Sequence, residues 1–230
     1  MEYIKDFMDR YEQLRKIFNE KRCFKLVCGA GNEDIEEVRR LTTIYTIAGT
    51  HVLDLSANVD VVNAAKRGIE IAYEKVPLLG KDIKIKPYLN VSIGIKGDPH
   101  VAKAKIDLEL CTECGECIKA CSKREAIKDD FIAAAIRAER AGIDALEIHV
   151  AHGYLLHQFF SPISNKRTDE YGGSLNNRMR LILEIAEGIR KVWPNDKVIG
   201  ARVTAQDWLD KGSTLDDCVE LINQLKSVGI

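Results

Sequence analysis

The chain has 230 residues, with 34 Lys and Arg against 35 Asp and Glu and a formal net charge of −1. That length buries a substantial core, and the balanced charge supplies neither a basic field for nucleic acid nor a charged tail. No run approaches the roughly 18 apolar residues of a membrane span, and the charged start MEYIKDFMDRYEQLRKIF lacks the apolar stretch of a signal peptide, so a cytoplasmic protein is expected.

Taken in chain order, Tyr3, Ile4, Phe7, Met8, Tyr11, Leu14, Ile17 and Phe18 recur at helical spacing and predict an amphipathic helix over 3–18. FKLVC predicts a strand at 24–28 and GAGN a turn, followed by a helix at 33–48, a strand at 51–57, a helix at 59–75 and a strand at 87–94. A cysteine-rich insert covers about 106–127. Beyond it come a helix at 129–141, a strand at 145–149, a long loop, a helix at 175–192 opened by Ser174 as its cap, a strand at 197–204 and a helix at 214–228. Strands alternating with helices give the α/β class and a parallel sheet, which right-handed crossovers curl toward a barrel.

Parallel strands buried on both faces read as continuous apolar runs, yet four of these five alternate. Asp54 and Ser56 oppose Leu53 and Leu55; Asn90 and Ser92 oppose Leu89, Val91 and Ile93; Glu147 and His149 oppose Leu146, Ile148 and Val150; Gly200, Arg202 and Thr204 oppose Ile199, Ala201 and Val203. The apolar face belongs under the helices. The polar face either lines the C-terminal mouth of a barrel or meets water in an open sheet.

The insert contains CTECGECIKAC, which places Cys111, Cys114, Cys117 and Cys121 in the C-x2-C-x2-C-x3-C run of bacterial ferredoxins. Soft thiolates at this spacing hold a [4Fe-4S] cluster, and Gly115 permits the tight turn. Ser122 stands where such runs usually carry proline and no second run follows, so the fourth ligand stays open between Cys121 and one of Cys23, Cys28 and Cys218.

Three of the five histidines, His149, His152 and His157, fall in EIHVAHGYLLHQFFSP at 147–162. On a continuing strand His149 and His152 would point to opposite sides, so they converge only if the chain turns, as Gly153 suggests. The residues leave three readings: caps for backbone groups, metal ligands, or a hydrogen-bonding pair for a carbonyl or anion with the Tyr154 phenol beside it. Arg202, on the inner face of the next strand, has an ion pair with Glu147 as its alternative.

From about 129 to 229 the sequence, including EIHVAHGYLLHQFFSPISNKRTDEYGGSLNNRMRLILEI at 147–185, resembles the old yellow enzyme family. The resemblance implies an FMN-dependent, eight-stranded (β/α) barrel that uses NAD(P)H to reduce activated C=C bonds. It implies that His149 and His152 hold the carbonyl of an activated alkene or enone, that Tyr154 is the proton donor, and that Arg202 contacts the flavin. Asn176 stands where the family usually has a glutamate. Before about 128 that likeness gives way to βα units with a weak resemblance to redox-sensing iron–sulfur proteins, and Asn90 or Ser92 stands where the family places a flavin-contacting glutamine.

The expectation is therefore an incomplete (β/α) TIM-type barrel, with N-terminal βα units over 1–105, a ferredoxin-like segment over 106–127 and an old-yellow-enzyme-like fragment over 128–230. The chain is expected either to pair with another half-barrel, possibly its own copy, or to be marginally stable, and in both cases, with the family's phosphate-binding loops unmatched, FMN binding should be weak. The alternative function is a non-catalytic iron–sulfur electron carrier or redox sensor.

Overall fold

The structure, a computed structural model, describes residues 2–29, 32–93 and 124–230. The elements in order are α1 (Glu2–Asn19), β1 (Lys25–Val27), α2 (Ile35–Ala48), β2 (Val52–Ser56), α3 (Val59–Lys75), a 3-10 turn (Val76–Leu79), β3 (Tyr88–Ile93), α4 (Arg124–Arg140), β4 (Ala145–Val150), α5 (Leu155–Phe160), α6 (Leu175–Val192), β5 (Val198–Val203) and α7 (Leu215–Ser227). Local chemistry sets several of the helix starts. Asp34 accepts hydrogen bonds from the Glu36 and Glu37 backbone N–H groups at α2, Ser174 accepts from Asn177 at α6, and Thr214 with Asp217 forms a reciprocal capping box at α7. The cysteine run at 111–121 lies outside the described residues, as does most of the 106–127 insert.

The five strands are all parallel and stand in sequence order, β1-β2-β3-β4-β5. Sequential order with right-handed crossovers puts the connecting helices on one side of the sheet. The large core sits there: Leu53, Leu55, Leu89, Val91, Ile93, Leu146, Ile148 and Val150 from the strands meet Ile69, Phe131, Met179, Ile182, Ile185 and Leu221 from the helices. The alternation read from the sequence is thus the division between an outer, helix-covered face and an inner one.

The inner face is neither empty nor simply exposed. Leu14 and Ile17 of α1 pack against Val52, Tyr88 and Ala145, the first inner-face residues of β2, β3 and β4. Arg10 fixes the helix by donating to the carbonyls of Lys86 and Pro87 and pairing with Asp144, and Arg15 donates to the carbonyl of Asp196. The opening helix thus closes the N-terminal end of the inner face.

Above that floor runs a polar layer. Lys25 lies 3.1 Å from Asp54 and 2.5 Å from Glu147. A flat sheet would hold β1 and β4 about 14 Å apart, three spacings of roughly 4.8 Å. Contact between their side chains therefore means that the sheet curls strongly about its inner face. The architecture is a five-stranded parallel half-barrel.

Candidate functional site

The site lies at the C-terminal end of β4, where the chain turns as soon as the strand stops. His152 adopts a left-handed backbone (φ 58) and Gly153 follows with φ 78. A left-handed histidine is uncommon and costs on the order of 1 kcal/mol, so neighbouring bonds must hold it. They do: the His152 N–H donates to Thr204 Oγ1 (3.2 Å), the Thr204 N–H to the Val150 carbonyl (3.3 Å), and the Tyr154 N–H to the Ala151 carbonyl (3.1 Å).

The turn swings His152 back over the strand end. The His149 ring centroid lies 5.2 Å from that of His152 and 5.2 Å from that of Tyr154, and the His152 and Tyr154 rings are 6.4 Å apart. Three polar rings from six consecutive residues therefore share one small volume. On the adjoining strand Arg202 stands in register with His149. Its side chain is exposed and makes no hydrogen bond or ion pair with the described residues. The alternative in which Arg202 pairs with Glu147 is not realised: Glu147 pairs with Lys25 instead.

His157, the third histidine of the cluster, takes no part in this trio and instead buttresses it. Its Nδ1 accepts the Gly153 N–H (2.9 Å), which leaves the proton on Nε2, 3.1 Å from Asp207 Oδ1. The other Asp207 oxygen accepts from Ser161 Oγ (2.7 Å), the Ser213 N–H (2.7 Å) and Ser213 Oγ (2.8 Å). Burial works to raise the Asp207 carboxyl, but these hydrogen bonds and the nearby His157 bring it below its ordinary value. The loop after β5 is thereby tied to α5 and, through Gly153, to the turn carrying His152.

One layer below, Asn90 Nδ2 donates to Asp54 Oδ1 (2.7 Å), and Ser92 Oγ sits 3.2 Å from Asp54 Oδ1 and 3.3 Å from Glu147 Oε1, donating to one at a time. Asn90 and Ser92 are thus committed to carboxylates in the half-barrel interior. Lys25, Thr204 and Asp207 were not singled out from the sequence. Lys25 carried one signal, a lysine inside an otherwise apolar strand, and Thr204 its place on the polar face of the last strand; Asp207 carried none.

Among the described residues no three or more His, Cys, Asp or Glu side chains gather into a metal site. Cys23, Cys28 and Cys218 carry free thiols pushed up by burial, Cys28 to about 11, with Asp54 and Glu37 adding to the burial effect there. No helix among the described residues is long and apolar enough to cross a membrane.

Residues 93–230 match the family model of the NADH:flavin oxidoreductase / NADH oxidase family. The chain belongs to this family. An NADH:flavin oxidoreductase of Gibberella zeae is 57% identical over 93 residues, 40% of this chain and 22% of that protein. An NADPH dehydrogenase of Clostridium acetobutylicum is 54% identical over 99 residues, 43% of this chain and 29% of its own. One from Bacillus velezensis is 45% identical over 132 residues, 57% and 36% respectively. The chain thus matches between about a fifth and a third of the length of these NADH:flavin oxidoreductase family members. Among solved structures, a 2-naphthoyl-CoA reductase complex covers 87% of the chain with a TM-score of 0.60 at 18% identity, the chain matching 35% of it. Old yellow enzyme from Pichia sp. covers 83% with a TM-score of 0.51 at 24% identity, the chain matching 56% of it. The likeness in fold therefore reaches into the N-terminal βα units that precede the family-matched stretch.

Proposed function

We propose that the chain is an FMN-dependent oxidoreductase of the old yellow enzyme type, or a portion of one, which reduces activated C=C bonds of enone-like small molecules with NAD(P)H. The observation that carries this reading is the convergence of His149, His152 and Tyr154 at the C-terminal end of β4, beside the exposed guanidinium of Arg202. When bound, FMN supplies two-electron transfer between the nicotinamide and the alkene. The donor set suits a flavin ring, because an uncommitted guanidinium matches its carbonyl-rich edge. Open space surrounds Gly200, where no atom lies within 4 Å of a would-be Cβ.

The roles of the side chains follow from their chemistry. His149 and His152 donate hydrogen bonds to the substrate carbonyl oxygen, where negative charge builds during reduction, and fixed donors aimed there stabilise that charge. Tyr154, in ring contact with His149, delivers the proton to the α-carbon. Cys111, Cys114, Cys117 and Cys121 would hold a [4Fe-4S] cluster, which supplies single-electron transfer. We assign 1–105, 106–127 and 128–230 as the three segments of the chain. β1 and β5 are the edges of the described sheet, and a second half-barrel, the chain's own copy included, is the partner proposed for them.

The cysteine run favours one second reading, an iron–sulfur electron carrier without flavin. Flavin, iron and sulfide content of the anaerobically purified chain, with NADPH- and NADH-driven loss of cyclohexenone, separates the two. Bound FMN with enone turnover supports the oxidoreductase. Iron and sulfide without flavin or turnover supports the carrier. A chain holding neither group overturns both.

A further inference from the structure

We propose that Lys25 is a positioning residue: by pairing with Glu147 from across the sheet it keeps that carboxylate off Arg202, leaving Arg202 open to a ligand at the C-terminal end of the half-barrel. The naming of that ligand as a flavin rests on the function proposed above; the positioning role does not.

The geometry poses the question directly. Arg202 is exposed and, among the described residues, unpaired, although a carboxylate stands one step away on the same inner face. Glu147 is in register with Gly200, and Arg202 with His149 two residues on, so Glu147 and Arg202 are diagonal neighbours on adjacent strands. Diagonal neighbours lie within reach of long side chains. Between them Gly200 contributes no side chain, and the space around it is open. A guanidinium and a carboxylate make a strong forked pair when they can meet, so something must hold them apart.

Lys25 does so. Its ammonium lies 2.5 Å from Glu147 Oε2 and 3.1 Å from Asp54 Oδ2. Ser92 Oγ faces Glu147 Oε1 at 3.3 Å, while Asn90 Nδ2 engages Asp54 Oδ1 at 2.7 Å. Both oxygens of Asp54 are thus engaged within the lower layer, and Glu147 has Lys25 on one oxygen and the Ser92 hydroxyl, shared with Asp54, in reach of the other. One cation serves two anions there, and the layer stays negative by one unit directly beneath Arg202. Without Lys25 the layer would hold two uncompensated carboxylates, and by register Arg202 is the cation next to Glu147. Lys25 lies upstream of the family-matched stretch at 93–230, so the N-terminal βα units would tune a site whose ring cluster comes from the family part.

The test reads Arg202 itself in the chain without added flavin, by side-chain NMR of the 15N-labelled arginine Nε–H, assigned by its loss in Arg202→Lys. In Lys25→Met the Arg202 signal should shift and its exchange with water should slow as it pairs with Glu147. Lys25→Met/Glu147→Gln should return it to the wild-type position, and Lys25→Arg should leave it there. FMN titration by fluorescence quenching should show about tenfold weaker binding in Lys25→Met, as when a charge is redirected to a new partner, with recovery in the double variant. Lys25→Gln, which keeps a polar head group, is held to the same outcomes should Lys25→Met not fold. An Arg202 signal unmoved in a folded Lys25 variant, or one that Glu147→Gln does not restore, overturns the proposal. A wild-type chain that binds no FMN, while its Arg202 signal responds as stated, refutes the flavin reading and upholds the positioning role.

Discussion

Lys25 on β1 and Glu147 on β4 form an ion pair although β2 and β3 lie between their strands in the sheet. The pair spans the chord of a curve, so it exists only while the sheet is bent. It also spans 122 residues of sequence, linking the N-terminal units to the strand that carries His149. Shape and charge pairing therefore report on each other.

That coupling makes Asp54 costly to remove. Asp54 is buried and serves Lys25, Asn90 and Ser92 together. Asp54→Ala should lower stability by about 2 kcal/mol, the penalty of leaving the buried Asn90 amide and the Ser92 hydroxyl short of an acceptor, while Lys25 keeps Glu147. Urea unfolding checks this; a loss under about 1 kcal/mol would mean that the layer refills with water at little cost.

The second expectation concerns acid. The Asp207 carboxyl sits below its ordinary value in the fold. A lowered folded value stabilises above the unfolded value of about 3.9 and loses that stabilisation as pH falls through the folded one. Stability should thus decline below about pH 4, and part of the decline should vanish in Asp207→Ala. Parallel denaturation curves of the two proteins between neutral and acid pH measure it; identical slopes would refute the assignment.

Removal of the phenol tests the proposed chemistry. Tyr154→Phe should slow the alkene step about ten- to ten-thousandfold, as loss of a general acid does, while reduction of the flavin by NAD(P)H is unaffected. Stopped-flow measurement of the two half-reactions separates them. His149→Ala should weaken binding of phenol-like ligands, which mimic the enolate. An unchanged alkene step in Tyr154→Phe would assign the proton to another group or to water.

The cysteine run predicts a brown protein with about four irons and four sulfides per chain, the content of one cubane cluster. Cys114→Ser should remove most of both. Metal and acid-labile sulfide analysis decides; zinc without sulfide would sink the cluster.

Where partners are close in sequence, the site was legible. His149, His152 and Tyr154 lie within six residues, so Gly153 and a strand end were enough to imply that they meet. Alternation in β2 to β5 likewise separated the outer face from the inner one. Long-range partners left no trace: Asp207 gathers His157, Ser161 and Ser213 from three places, and nothing in a polar loop announces that. The α5 helix was missed because LLHQFF is too short to show a helical period. For α1, spacing gave an apolar stripe but not which side of the sheet it covers, since both sides offered apolar partners.

The position of α1 has a consequence for how the chain is made. This helix precedes the other described elements in the chain, yet its anchors are Tyr88, Asp144 and the Asp196 carbonyl, all of them far downstream of it. It must wait, amphipathic and unpartnered, until β3, β4 and the approach to β5 exist. Non-local contacts of this kind are slow to form and leave apolar surface open meanwhile. Docking of α1 therefore follows the local pairing of α2 with α3, and during folding the amides of α1 should become protected from hydrogen exchange after those of the α2–α3 pair.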